Sequence, residues 1–387
     1  MSLPLCSIII PAYNAEVWLE RTLLSAAKQN YPNLEIIVID DGSKDDTRKL
    51  AESISAVDER FRVVSIPNGG VANARNVGIR ESRGKYVAFL DADDLWHPDK
   101  IRLQVESMQE PLDGALPAAS YALARVINAH DRIVSKGATP GESGYILLRN
   151  MYFRFSGNGS SVLVLRDVAL EVGGYDSSWI AHGSGGCEDI DFELAVAARY
   201  PIVCVQQLLV GYRRAPGSMS TRHREMARGA LGVIQKHLKA NPQIPKWATR
   251  LVYGALLGYT LPELIAGRDW PEAAKHLGIL FINQPMQAIG FSLRFLKRQP
   301  KRLLRLLLKK PKSVEEIAGP LFTDVRPEIE PSEINTRHPR QREILDALTE
   351  LDAKLWKEVI KGNTNSSTHV EDNSGEPVGE TVGVSRQ

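Results

Sequence analysis

Three carboxylates stand within four residues, at Asp91, Asp93 and Asp94, directly after the apolar run 86–90. Like charges this close repel one another, and a bound cation relieves that repulsion. Hard carboxylate oxygens suit Mg²⁺ or Mn²⁺, whose coordination shells are often completed by substrate phosphates. The pattern is equally typical of a helix N-terminus, and Asp94 is a candidate cap for a helix that begins near Pro98. Taken alone, this segment leaves both interpretations open.

A second acidic pair, Asp40 and Asp41, closes the apolar run 34–39 and is followed by Gly42 and Ser43. These carboxylates could accept hydrogen bonds from a nucleotide base and ribose. A solvated turn that leads into a helix cap is the simpler alternative. A receiver-like phospho-acceptor domain also places paired Asp residues at strand ends, but the Ser or Thr and the Lys that it needs after later strands are not evident.

A glycine turn at Gly69 and Gly70 precedes a predicted helix that carries Arg75. Glycines let a backbone approach a ligand closely, and a helix N-terminus faces anions. The planar guanidinium of Arg75 suits a diphosphate or a base edge. The alternative is an exposed Arg beside an ordinary glycine turn.

Two further groups complete the candidate chemistry. The Gly-rich run 181–187 leads into a predicted helix that begins at Glu188, and Asp189 is a candidate general base for a substrate hydroxyl. Acidic residues at a helix start are also common as dipole compensation. Arg213 and Arg214 follow the last predicted strand and could close over a diphosphate, although alone they would indicate a surface loop.

The elements that must position these residues alternate between strand and helix. Apolar runs at 5–10, 34–39, 62–66 and 85–90 predict buried strands of a largely parallel sheet that is covered by helices on both faces. Such sheets bind ligands at the carboxyl ends of their strands. The polar clusters Pro11–Asn14, Asp40–Ser43 and Asp91–Asp94 all fall at those ends. Asn14 is predicted to cap the first helix.

Later segments are less regular. Strands are predicted at 161–165 and 202–210, and a helix at 188–200. After about residue 222 the pattern is helical, with proline breaks that include Pro262. A last amphipathic helix is predicted at 340–360.

The composition is that of an ordinary globular protein. The chain has 387 residues with 48 Lys and Arg against 46 Asp and Glu, and 43% are hydrophobic, which excludes collagen-like, disulfide-scaffold and wholly disordered classes. Balanced charge argues against a dedicated nucleic-acid binder. Three cysteines without a C-x-x-C spacing indicate a reducing, cytoplasmic compartment. We expect neither a signal segment nor a membrane span.

Five motifs in fixed order make the chain resemble the family 2 glycosyltransferases, which are inverting enzymes with the GT-A fold. The resemblance covers about residues 5–220 and rests on these segments: Ile8 to Asn14, Asp40 to Ser43, Gly70 to Asn76, Phe89 to Asp94, and Glu188-Asp189. It implies an α/β fold with a mostly parallel, mixed sheet between helices. It also implies transfer of a hexosyl group, with inversion, from a UDP- or GDP-linked sugar to an acceptor hydroxyl.

The resemblance also implies a place for each nucleotide contact. Pro11, Ala12 and Tyr13 would line the base pocket. Asp41 would contact the base or ribose, with Asp40 as a less certain contributor.

The resemblance further implies which residues contact or activate the reacting groups. Arg75 would help to hold the nucleotide. Asp91 and Asp93 match the D-x-D that serves ribose and metal, with Asp93 as the direct ligand of Mn²⁺ or Mg²⁺. Asp189 matches the catalytic base.

One departure affects the closing loop of the predicted site. Many relatives carry a His shortly after the Tyr-Arg pair, where this chain has Ala215. His182 or His223 could supply the missing contact, beside Arg213 and Arg214.

The C-terminal part carries a strongly basic stretch. Residues 286–312 contain nine Lys or Arg and no Asp or Glu. On a helical wheel, one arc is basic and the other is filled by leucines, which predicts either an interfacial helix on an anionic membrane or a packed helix with a solvated face. The basic arc comprises Lys301, Arg302, Arg305 and Lys309.

The sequence therefore predicts four parts: a catalytic domain at 1–222, a helical extension at 223–318, a linker and terminal helix at 319–361, and a disordered tail at 362–387. The resemblance implies a saccharide or lipid-linked acceptor in cell-surface polysaccharide, lipopolysaccharide or glycolipid synthesis. It also implies a cytoplasmic location that includes the inner membrane face.

Two alternative functions stay open. A nucleotidyltransferase would need a Gly-rich phosphate loop after the first strand, and a degenerate nucleotide-binding scaffold would not need Asp93 and Asp189.

Overall fold

One mixed sheet of eight strands organises the protein. The computed structural model describes residues 3–135, 139–153, 158–181, 185–214, 222–286, 288–290, 292–293, 319–330, 334, 337 and 339–367. The strands are β1 (Cys6–Ala12), β2 (Leu34–Asp40), β3 (Phe61–Ser65), β4 (Tyr86–Phe89), β5 (Leu95–Trp96), β6 (Ala119–Ile127), β7 (Val162–Leu165) and β8 (Ile202–Arg213).

The strand order is β3-β2-β1-β4-β7-β6-β8-β5. The first four strands are mutually parallel, β7 is antiparallel to both β4 and β6, and β6 and β8 run parallel. The parallel half therefore brings the ends of β1, β2 and β4 to one edge of the sheet, as the sequence predicts.

Helices cover both faces of this sheet. The helices of the described residues are α1 (Leu19–Ala27), α2 (Thr47–Ser55), α3 (Val71–Glu81), α4 (Lys100–Ser107), α5 (Leu147–Phe153), α6 (Arg166–Glu171), α7 (Ser178–Ala181), α8 (Glu188–Ala197), α9 (His223–Ala240), α10 (Lys246–Ala266), α11 (Trp270–Asn283) and α12 (Pro339–Ser367).

Alternation along β1 divides the core into two layers. Ile8 and Ile10 pack in one apolar cluster, whereas Ile9 packs in the other with residues of α3. Gly78 of α3 lies so close to Ile9 that a Cβ there would collide with its side chain. This close approach fixes the position of α3, which carries Arg75.

Two local predictions are wrong, and one strand was not predicted. Asn14 caps no helix, because it adopts φ 49° and α1 begins only at Leu19. Pro262 does not break α10, which runs through it while its neighbours Leu261 and Leu264 are buried in a helical cluster. Strand β6 was not predicted, because its run mixes Ser, Ala and Arg with apolar residues, yet it is largely buried between β7 and β8.

The terminal helix α12 packs on α5 and Tyr145 rather than standing apart. Asp352 accepts hydrogen bonds from the backbone N–H of Leu148 (2.8 Å) and from Nε of Arg149 (3.0 Å), both on α5. Trp356 stacks on Tyr145 with ring centroids 5.3 Å apart. The helix extends to Ser367, beyond the predicted start of the tail at 362, and residues 368–387 lie outside the described residues.

Helices α10 and α11 form a hairpin whose turn contains Asp269, which caps α11 by accepting from the N–H of Glu272. None of the helices in the described ranges combines the length and the apolar run that crossing a bilayer requires. The basic arc at 301–309 lies outside the described residues.

A buried lysine gives the fold a testable pH dependence. Burial lowers the pKa of Lys100 to about 7, while its Nζ donates to Oε1 of Gln104 (2.6 Å) and lies 3.9 Å from the Trp96 ring centroid. Between pH 7 and 9 the unfolded state therefore binds more protons at this residue than the folded state, so stability rises with pH. We expect the free energy of unfolding to increase by about 2 kcal/mol over this interval from Lys100 alone.

Urea unfolding at several pH values measures this effect. The Lys100→Met variant should lose most of the increase, whatever its own stability at pH 7. An identical slope in the two proteins would show that Lys100 keeps an ordinary pKa in the fold.

Candidate active site

A buried guanidinium lies at the centre of the site. Arg75 projects from the first turns of α3 and is only 3% exposed. Its Nη2 donates to Oδ1 of Asp91 (2.5 Å), its Nη1 lies 3.8 Å from Oε1 of Glu188, and the group sits 5.0 Å from the Tyr175 ring centroid. Arg75 therefore joins the end of β4 to the first turn of α8.

Arg75 keeps hydrogen-bonding capacity that the described residues do not use. Burial opposes its charge, but the carboxylates of Asp91 and Glu188 outweigh burial and raise its pKa. Its Nε and Nη1 atoms are buried and have no hydrogen-bond partner among the described residues. A buried donor without an acceptor is costly, which makes these two groups candidate ligand contacts.

Asp189 lies beside this cluster at the start of α8. Burial and the neighbouring charge of Glu188 raise the pKa of Asp189 to about 7, against the opposing effect of Arg75. A carboxylate with a pKa near neutrality is suited to accept a proton during a reaction.

The carboxylates of the acidic loop after β4 (Asp91–Asp94) have different roles. Asp94 is 1% exposed and accepts from Oγ of Ser160 (2.6 Å) and from the backbone N–H of Arg213 (2.8 Å). Asp94 therefore supports the loop from inside and does not cap the helix after Pro98, which is α4 with Asp99 at its N-cap position. Burial and the charge of Asp91 raise the pKa of Asp93 to about 6.

Arg213 is a support of the loop as well. Its side chain is fully buried, and it donates to the carbonyl oxygens of Asp93 (2.6 Å) and Asn128 (2.7 Å) and to Oδ1 of Asp131 (2.6 Å). The prediction that Arg213 contacts a diphosphate does not fit this geometry, because the guanidinium is enclosed by protein acceptors.

The other predicted closing-loop residues are dispersed. Arg214 is exposed. His223 lies on α9, where its Nδ1 is 2.6 Å from Oε2 of Glu263. Ala215 and His182 lie outside the described residues.

The predicted base-pocket residues do meet at the ends of β1 and β2. Pro11 and Ala12 are buried at the end of β1, and Tyr13 is 47% exposed. Asp40 accepts from the N–H of Ser43 (3.0 Å).

Asp41 is already engaged with the glycine turn. Its two carboxylate oxygens accept from the backbone N–H groups of Gly69 and Gly70, each at 2.8 Å. Gly70 adopts φ 83°, a conformation that favours glycine. Asp41 therefore fixes the turn that starts α3, whichever further group it contacts.

Sequence reasoning did not single out Tyr175, Ser160 or the role of Glu188. Glu188 is 4% exposed and accepts from the N–H of Gly186 (2.8 Å). Its position beside Asp189 was a signal of a functional site. Carboxylates are rarely buried, and two adjacent buried carboxylates at a helix start are rarer still. Nothing near Ser160 or Tyr175 in the sequence marks them, because their contacts are long-range.

The described part of the chain contains no group of three or more His, Cys, Asp or Glu side chains close enough together to hold a metal ion. Protein ligands to a cation would thus be few, with Asp93 and Asp91 as the available carboxylates on the loop. Mg²⁺ and Mn²⁺ sites of this kind usually take other ligands from substrate phosphates and water.

Comparison with known proteins finds sequence similarity over the first part of the chain. Residues 7–139 match the model of Glycosyl transferase family 2. TuaG of Bacillus subtilis, named for teichuronic acid biosynthesis, is 44% identical over 108 residues, covering 28% of this chain and 43% of that protein. Chondroitin synthase of Pasteurella multocida is 34% identical over 135 residues, covering 35% of this chain and 14% of that protein. Both matches span less than half of the relative.

The overall architecture also has a counterpart among solved structures. The crystal structure of S. aureus TarS 1–349 in complex with UDP-GlcNAc superimposes with a TM-score of 0.54 at 17% identity, covering 73% of this chain and 82% of that chain. This similarity confirms the predicted fold class, a GT-A type mixed sheet between helices. Residues 7–139 therefore resemble glycosyl transferase family 2 in sequence, within a chain that has the GT-A fold.

Proposed function

We propose that the protein is an inverting glycosyltransferase that moves a sugar from a nucleoside-diphosphate sugar to an acceptor hydroxyl. The observation that carries this proposal is the buried Arg75, which lies between Asp91 and the Glu188–Asp189 pair. Its Nε and Nη1 atoms have no hydrogen-bond acceptor among the described residues. This arrangement places a donor for anionic groups beside a carboxylate of near-neutral pKa, at the carboxyl ends of parallel strands.

The donor is proposed to lie along the ends of β1, β2 and β4, with its base near Tyr13 and Asp40. UDP- and GDP-linked sugars both fit this class of site. The acceptor is proposed to be a saccharide or a lipid-linked saccharide in cell-surface polysaccharide, lipopolysaccharide or glycolipid synthesis. TuaG is named for teichuronic acid biosynthesis and the Pasteurella relative is a chondroitin synthase, which supports a polysaccharide context.

Asp93 is proposed to hold Mn²⁺ or Mg²⁺ with help from Asp91. The acidic loop fits such a cation, because burial and the charge of Asp91 together raise the pKa of Asp93, and a nearby positive ion would stabilise the ionised form. When bound, the ion would neutralise charge on the diphosphate leaving group. Arg75 would add a fixed positive charge from the protein.

The proposed reaction then needs one proton acceptor. Asp189 takes the proton of the acceptor hydroxyl, the hydroxyl oxygen forms a bond to the anomeric carbon, and the bond from that carbon to the diphosphate oxygen breaks with its electron pair. Attack from the face opposite the leaving group inverts the configuration. A second carboxylate nucleophile is not required.

The pKa of Asp189 predicts the pH dependence of this activity. The base must be ionised, so kcat/KM should fall as the pH decreases through about 7, where Asp189 becomes protonated. Glu188→Gln removes a neighbouring negative charge that raises this pKa, and it should move the acid limb of the profile to lower pH. Profiles measured with saturating Mn²⁺ test both statements; an acid limb that stays in place in Glu188→Gln would contradict the proposed coupling.

A panel of nucleotide-sugars tests the function itself. Thermal shift with Mn²⁺ should select one donor, and a donor-hydrolysis assay with the selected compound should release the nucleoside diphosphate. Release of pyrophosphate from a nucleoside triphosphate and a sugar phosphate would instead identify a nucleotidyltransferase. Tight nucleotide binding without any turnover would identify a nucleotide-binding scaffold.

We also propose that the helical extension touches an anionic membrane surface from the cytoplasmic side. Several large apolar side chains are exposed where α11 leads toward the basic stretch of residues 286–312: Phe281 (42%), Ile282 (83%), Met286 (78%), Ile289 (44%) and Leu293 (53%). Exposed apolar residues next to clustered basic charge are typical of interfacial segments. Flotation with anionic and neutral liposomes at low salt tests this contact, and equal recovery with both lipids would refute it.

A further inference from the structure

The first turn of α8 presents two carboxylates to opposite sides. Asp189 and Asp191 are two residues apart, which separates their directions by about 200° around a helix. Asp189 lies close enough to Arg75 and Asp91 for their charges to affect its pKa. Asp191 contacts α9, the first helix of the C-terminal extension.

Asp191 is buried and lies within hydrogen-bonding distance of three side chains. It is 3% exposed, and its Oδ2 accepts from Nε1 of Trp179 (2.9 Å) and from Nζ of Lys236 (2.7 Å). Its Oδ1 lies 2.7 Å from Nε2 of His237, which is 6% exposed. An ionised carboxylate only accepts hydrogen bonds, so the His237 ring carries its donated proton on Nε2.

These bonds favour the ionised form of Asp191. Burial alone would raise its pKa, but the bonds from His237, Lys236 and Trp179 outweigh burial and lower it. A buried, charge-assisted cluster of this kind holds its members in one arrangement, because removal of one member leaves the others buried without a partner.

Helix α9 also supports the segment that leads into α8. The Sγ atom of Cys187 is 3.6 Å from the carbonyl oxygen of Met226. A Cβ on Gly186 would lie 2.5 Å from Sδ of Met226, and a Cβ on Gly232 would lie 2.6 Å from the Trp179 ring. Both approaches are tighter than side chains tolerate, so α9 sits directly against this segment.

We propose that Asp191, held by His237 and Lys236 of α9, positions the first turn of α8 and thereby sets where Asp189 meets the acceptor hydroxyl. Asp191 is then a positioning residue, and the C-terminal extension takes part in catalysis through it. The inference rests on the proposed function for its catalytic consequence, but the positioning of α8 can be measured without turnover.

The test compares Asp191→Asn and His237→Leu with His237→Gln and Asp352→Asn. Asn at 191 cannot accept from all three donors, and Leu at 237 supplies none, whereas Gln at 237 keeps an N–H donor. Asp352→Asn alters another buried carboxylate, which holds α5 through Leu148 and Arg149. It is a matched control for lost stability.

We expect amides of residues 188–192 to exchange with deuterium faster in Asp191→Asn and His237→Leu than in the wild type, and at nearly wild-type rates in the other two variants. We expect kcat to fall about 10- to 100-fold in the first pair, since displacement of a reacting group by about 1 Å costs that much. The KM for the donor should stay within about threefold of the wild-type value in all variants, which separates positioning from donor binding.

Two results would overturn the inference: exchange of 188–192 that matches the Asp352→Asn control, or a kcat for His237→Leu equal to that of His237→Gln. If Asp191→Asn does not fold, the His237 pair decides the outcome. An inactive wild-type protein would refute the proposed function, whereas the exchange data would still test whether Asp191 holds the first turn of α8.

Discussion

Replacement of Asp189 by Asn is expected to lower the rate of sugar transfer by about 10²- to 10⁴-fold, the usual contribution of a positioned general base. Asn has nearly the same shape as Asp but cannot take a proton from an acceptor hydroxyl. Nucleotide affinity should stay close to the wild-type value, because the contacts of Arg75 to Asp91 do not involve Asp189. Steady-state transfer assays and calorimetric titration with the nucleoside diphosphate measure the two quantities separately.

An exposed carboxylate gives the matched control. Asp46 lies at the start of α2 with its side chain 70% exposed and pairs only with Lys49 in the described residues. Asp46→Asn should therefore leave both turnover and binding unchanged. Full turnover in Asp189→Asn would remove the base assignment, and loss of nucleotide binding in that variant would indicate a role in holding the donor.

Replacement of Asp93 by Asn is expected to weaken Mn²⁺-dependent nucleotide binding by about tenfold or more, which corresponds to about 1.4 kcal/mol. The amide is neutral and is a poorer ligand for a hard cation than a carboxylate. Binding measured in EDTA should not weaken, because relief of the repulsion between Asp93 and Asp91 removes an electrostatic penalty. The decisive quantity is the ratio of nucleotide affinities with and without Mn²⁺.

A ratio that is the same in Asp93→Asn and in the wild type would refute a metal role for this carboxylate. The Asp46→Asn variant again serves as the control for a simple loss of one negative charge. Tm measured in parallel separates a change in the site from a change in the fold.

Much of the parallel half of the sheet could be predicted because its signals are local. Buried parallel strands read as continuous apolar runs, and runs such as 34–39 appear at the expected places. The polar residues directly after them, including Asp40 and Asp91, fall at one edge of the sheet as a consequence of parallel pairing. The same reasoning correctly places the start of α8 at Glu188.

The antiparallel half was harder to predict, because its strands depend on distant partners. Strand β6 is assigned by its pairing with β7 and β8, which are contributed by residues 162–165 and 202–213. Pro262 was predicted to break a helix from its intrinsic preference, but tertiary packing of α10 outweighs that preference.

The roles of the charged residues also depend partly on local sequence and partly on distant contacts. By itself the sequence determined which residue types stand at the strand ends and in which order, since the motifs from Pro11 to Asp189 are consecutive short segments. Only the tertiary structure decided which charges are free to meet a ligand. Arg75 and Arg213 look alike as motifs, but Arg213 is enclosed by Asp93, Asn128 and Asp131. The Nε and Nη1 atoms of Arg75, by contrast, have no hydrogen-bond acceptor in the part of the chain that the structure describes. The physical reason is that hydrogen-bond partners and burial are set by segments far apart in the chain, and these determine whether a charge supports the fold or is available for chemistry.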